Sequence, residues 1–129
     1  MLSKWLTTVE ENGVRVETVI EKTELVEGDI LNGSVYITPL TEDEEDKIDY
    51  ISLKVLCEQA NGELTVIGKH SFEVVGTIRS KDAEIMPFEI MPDERWVCGV
   101  DERLIFQTIV IFLDGTEVKE VGYISYDTE

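Results

Sequence analysis

The chain has 129 residues, with 28 Asp and Glu against 11 Lys and Arg, for a formal net charge of -17. That surplus repels DNA, RNA and anionic lipid, because binding them depends on Lys and Arg neutralising phosphate. It attracts a basic partner or divalent cations. Hydrophobic residues make up 43%, too many for a disordered chain.

The length fits one domain, residues 1–129, able to bury roughly two-thirds of the surface its unfolded form exposes. No basic start followed by an apolar run opens the chain, and no stretch approaches the ~20 apolar residues of a membrane helix. The expectation is a cytoplasmic, soluble protein without nucleic-acid or membrane partners.

Leu2, Trp5, Leu6 and Val9 fall at i, i+3, i+4 and i+7, which predicts a short amphipathic helix over residues 1–12. Asn12-Gly13 signals a turn. Val14, Val16, Thr18 and Ile20 then alternate with Arg15, Glu17 and Glu21, the period of a half-buried strand. Val26-Glu27-Gly28-Asp29 turns the chain back. Leu31, Gly33, Val35 and Ile37 share the inner face of the next strand, and Gly33 there implies a bulge or a close backbone approach. Ser34 and Tyr36 fall on its other face.

Beyond Pro39, the loop 41–46 carries five consecutive acidic residues, Glu42, Asp43, Glu44, Glu45 and Asp46. Such density of like charge stays in solvent. The five carboxylates are candidate cation ligands, although their spacing is not that of an EF-hand. A third strand, 47–58, points Ile51, Leu53, Val55 and Cys57 inward. Asn61-Gly62 predicts a primed hairpin turn with positive φ at both residues. The fourth strand, 64–75, directs Leu64, Val66, Phe72 and Val74 inward, with His70 on the same face.

Residues 84–92 form a fifth strand with Met86, Phe88 and Ile90 on one face. Pro87 lacks a donor and marks it as an edge. A loop over 93–101 carries Trp96 and Cys98. Residues 103–113 are apolar on both faces, as a central strand covered on both sides requires. Asp114-Gly115 closes a hairpin to the last strand, 116–125. About seven strands without a long helix predict an all-β, immunoglobulin-like antiparallel sandwich with a short N-terminal helix.

No catalytic pattern accompanies this scaffold. There is no GxSxG turn beside a base, no GxxxxGK[ST] and no GxGxxG. His70 is the sole histidine and reads as a core residue with one hydrogen bond. Without a second histidine or a CxxC spacing, Cys57 and Cys98 do not complete a zinc site. Cys57 reads as a small buried hydrophobe, and two cysteines in this length suit reduced thiols in a cytoplasm. One disulfide between them is the alternative, since sequence does not place the two sulfurs. The reading is of no enzyme and no cofactor.

Three stretches resemble the sporulation-control protein family typified by Spo0M, whose fold is arrestin-like. They are the N-terminal segment through 14–22; the hairpin 26–37, similar to the arrestin "pGe.v.G.v.i" pattern; and Glu84-Ile85-Met86-Pro87-Phe88-Glu89-Ile90-Met91-Pro92, similar to "eiPFsf.lP". Together they span most of residues 1–92. The family has two arrestin-like domains, and this length accommodates one. The resemblance implies a non-catalytic cytoplasmic regulator or adaptor of bacterial sporulation or stress control, acting through protein–protein contact. A sandwich offers partners its faces and edges, so Ser34, Tyr36 and Pro87 are the candidate partner-binding residues. The alternatives are a structural or assembly protein (a homo-oligomer or phage component) and a calcium-binding module using the acidic loop.

Overall fold

Among the described residues the alternation of apolar and polar residues becomes nine strands in two stacked sheets. The computed structural model describes residues 4–41, 48–74 and 84–128. In chain order the strands are β1 (Lys4–Glu11), β2 (Val14–Ile20), β3 (Glu24–Val26), β4 (Leu31–Pro39), β5 (Ile48–Glu58), β6 (Leu64–Glu73), β7 (Glu84–Ile90), β8 (Arg103–Phe112) and β9 (Glu117–Asp127). One sheet runs β1-β2-β4-β7 and the other β3-β9-β8-β5-β6. The fold is an arrestin-like β-sandwich, antiparallel except where β3 lies parallel to β9.

The predicted N-terminal helix is not formed. Lys4–Glu11 is instead an edge strand paired antiparallel to β2. A bulge between Trp5 and Thr7 shifts the register, so period-two alternation is broken where helical spacing is read. A single 3-10 turn, Glu94–Trp96, is the helical piece among the described residues. β2 follows the expected pattern, with Val14, Val16, Thr18 and Ile20 buried.

The 26–29 turn does not join neighbouring strands directly. β2 and β4 pair in the first sheet, but the connection between them crosses to the second and lays β3 beside β9. Gly28 takes φ 98 there, and Asp29 Oδ2 accepts from the Val26 amide at 2.8 Å. Asn12 and Gly13, at φ 53 and 81, make the primed turn of the β1–β2 hairpin. At Asn61-Gly62 only Gly62 has positive φ, 88, and its amide bonds Gln59 O at 2.8 Å. That is an ordinary turn followed by a left-handed glycine, not the primed form.

β6 departs from the expected facing. A bulge sets Gly68 opposite Val55 but Val66 opposite Leu56, leaving Ile67 as the extra residue. Leu64 and Val66 therefore point outward, 53% and 45% exposed, while Ile67 is buried. Past the bulge Phe72 packs on the core and Val74 is buried. Gly68 leaves room for Trp96, since a Cβ there would lie 3.1 Å from the indole and 2.9 Å from Ile90. Trp96 is thus a core residue, fully buried, held by Asp93, whose carboxylate caps the turn at the Arg95 amide.

Candidate binding groove

Gly33 sits between Ile20 of β2 and Phe88 of β7. The close approach anticipated from the sequence is present: a Cβ on Gly33 would lie 2.1 Å from Val19 O. With a glycine in its floor and Ser34 beside it, the sheet surface at β4 stays low. A groove of about 710 Å³ opens there, lined from β2, β4, β7 and the segment after β2. Ser34, Tyr36 and Pro87, singled out separately in the sequence, all line it, and Ser34 and Pro87 are register partners.

His70 reaches the same groove from β6, the edge of the other sheet. Its ring lies 4.8 Å from that of Phe72 and 6.4 Å from that of Phe88. It is partly exposed rather than a closed core residue. Composition and periodicity could not place it here, because the contact joins strands from different sheets. Glu21 and Glu89 also line the groove and, among the described residues, no Lys or Arg does, so the described lining favours a cation. Ser34 and His70 share the lining without a hydrogen bond between them.

The candidate cation ligands Glu42, Asp43, Glu44, Glu45 and Asp46 lie outside the described residues. Among the described residues no group of three or more His, Cys, Asp or Glu could hold a metal ion. No helix among them is long and apolar enough to cross a membrane.

Cys57 and Cys98 are free thiols that face each other at the rim of the core. Burial pushes Cys57 up from its ordinary pKa, with the Glu102 carboxylate adding to the shift. Burial likewise pushes Cys98 up to about 11, reinforced by Cys57. Both thiols are therefore poor nucleophiles at neutral pH.

The fold has solved counterparts. The crystal structure of Spo0M, the sporulation control protein of Bacillus subtilis, matches with a TM-score of 0.63 and 19% identity over 92% of this chain. This chain spans about half of that one, 51%. A structure described as pT26-6p matches with a TM-score of 0.47 and 11% identity, over 90% of this chain and 23% of its own. No family model and no curated protein matches the sequence. At this level of identity the likeness to Spo0M is one of fold: the chain shares the arrestin-like sandwich seen there.

Proposed function

We propose that this chain is a non-catalytic binding module that regulates by holding a protein partner in the β4–β7 groove. The observation that carries this reading is the convergence of Ser34, Tyr36 and Pro87 with Glu21 and Glu89 in one surface depression. An extended segment bearing Lys or Arg suits it, because the two carboxylates have no Lys or Arg beside them among the described lining residues. The likeness to a sporulation control protein supports a regulatory role, and we place that role in the bacterial cytoplasm, in sporulation or stress control.

The test is affinity capture from native extract with the natural chain and with a Glu21→Lys/Glu89→Lys double variant. Both positions are exposed, and replacing acid by base relieves the chain's self-repulsion, so the variant should melt no lower than the natural chain. The reading expects a defined partner retained by the natural chain, weakened by salt and lost with the variant. Identical capture by both proteins, or capture by neither, would overturn it. Deleting the gene in its native host and counting heat-resistant spores tests the pathway separately.

A further inference from the structure

The two outer faces of the sandwich differ in kind. That of the four-stranded sheet is polar and acidic around the groove. On the five-stranded sheet, Val66, Leu56, Ile105 and Tyr123 form a continuous apolar row across β6, β5, β8 and β9. Ile105 and Ile109 point outward from β8 yet are only 7% and 8% exposed. The described residues supply no third layer, and the apolar surface left open lies on the flanking Val66, Val121 and Tyr123.

The charges on this face also set it apart. Lys54, Lys69, Arg103 and Lys119 stand among Glu58, Glu73 and Glu117, a near-neutral balance on a chain of net charge -17. A second copy repels this one at most approaches, and least here. The strand order adds the decisive symmetry. Because β9-β8-β5-β6 are consecutive, a two-fold axis parallel to the strands and between β8 and β5 lays β5 on β8 and β6 on β9 of the second copy. Residues then face the copies of their own ladder partners: Leu56 meets Ile105, Glu58 meets Arg103 and Lys54 meets Gln107. In the outer columns Val66 meets Tyr123 and Lys69 meets Val121, so no lysine opposes a lysine; the cost is Glu73 facing Glu117.

We propose that this outer face of the five-stranded sheet is an isologous interface with a second copy of the chain. Four strands at ~4.8 Å spacing and about 30 Å of length give on the order of 600 Å² in projection. Side-chain relief raises that toward the ~800 Å² per partner of a standard stable interface. The groove opens on the four-stranded sheet and takes from β6 only His70, which pairs with the inward-facing Leu53, so a dimer built on the outer face leaves both grooves open. This inference stands or falls independently of what the groove holds.

Sedimentation velocity over a wide range of protein concentration, at low and at high salt, tests it. The expected result is a reversible monomer–dimer equilibrium that shifts toward dimer as salt screens the mutual repulsion. Val66→Glu should raise the dimer dissociation constant at least ~tenfold, since a symmetric interface receives the change twice. Ile85→Glu, on the other sheet, should leave it unchanged. If Val66→Glu fails to fold, Tyr123→Ser, 54% exposed, takes its place. A monomer at every concentration, a dimer indifferent to both face variants, or a dimer broken by Ile85→Glu would each overturn the proposal.

Discussion

Thr18 of β2 and Thr108 of β8 meet across the interior with their hydroxyl oxygens 3.0 Å apart. Thr7 of β1 joins the Thr108 oxygen at 3.1 Å. All three are buried, so this small polar cluster ties the two sheets together where the rest of the core is apolar. Inside a core, such hydroxyls stabilise only while each has a partner. Thr108→Val keeps the shape and removes the shared oxygen. It should lower stability by about 1–3 kcal/mol, the cost of leaving buried groups unpaired. Changing Thr7, Thr18 and Thr108 together to Val should cost less than the three single changes summed. Urea unfolding midpoints of the four variants decide this, and strict additivity would show that the hydroxyls act separately.

Gly68 and Trp96 form a second coupled pair. A methyl at 68 would press on the indole at 3.1 Å and on Ile90 at 2.9 Å, both side chains in a packed core. Gly68→Ala should therefore destabilise by roughly 1–3 kcal/mol through overpacking. In a Trp96→Phe background, where the indole's outer ring is gone, the same change should cost less. The double-mutant cycle in chemical denaturation reads that coupling directly. Gly33→Ala differs, because its Cβ would meet backbone atoms of Val19 and Ile20, the nearest at 2.1 Å. No rotamer change relieves that, and a loss above ~3 kcal/mol is expected, with the groove disturbed.

The stretches legible in the sequence are those that no bulge in their own chain interrupts. β2 alternates without interruption over seven residues, and its inner face is read correctly from Val14 to Ile20. The inward set Ile51, Leu53, Val55 and Cys57 of β5 is likewise buried, because the extra residue of that strand, Asp49, comes before it. A bulge adds one residue and reverses the alternation beyond it. That is why Leu64 and Val66 are expected inside β6 but lie outside, and why β1 reads as helix. β3 spans three residues and pairs in parallel with β9, too short to leave a period. Of the groove, Ser34, Tyr36 and Pro87 are accessible to sequence reasoning because strand parity and a missing donor mark them. Glu21 and Glu89 are not, because they meet only through Asn32 of β4, between β2 and β7; His70 is not, because its approach depends on how the two sheets are stacked.

The thiols give a pH signature. Cys98 is raised from an ordinary 9.0 to about 11 by burial first and by Cys57 second. A group whose folded pKa exceeds its unfolded value contributes stability that is intact below the unfolded pKa and lost as pH rises through the folded one. The melting midpoint should therefore fall more steeply between about pH 9 and 11 in the natural chain than in Cys98→Ser. At neutral pH, iodoacetamide should label both cysteines slowly in the folded protein and rapidly in urea. Equal labelling rates in the two states would show that the thiols are not sequestered.

Net charge and specific pairing pull in opposite directions as pH falls. At neutral pH the acidic surplus strains the folded state by self-repulsion, so added salt should raise the melting midpoint. Protonating carboxylates toward the sequence pI of about 4.2 relieves the same repulsion. Three aspartates resist that protonation. Asp29 is held below the ordinary 3.8 by the Val26 amide and then by Lys22, Asp93 by the Arg95 guanidinium, and Asp114 by the Thr116 amide. Depressed carboxylates contribute stability that is present above their ordinary pKa and lost as pH drops through the folded value. The midpoint should rise on acidification from pH 7 toward pH 5, then fall below about 3.8 as these turns lose their caps. High salt should flatten the rising part and leave the acid fall in place. Melting scans across pH at two ionic strengths check both limbs, and a monotonic decline from pH 7 at low salt would show that self-repulsion does not govern this fold.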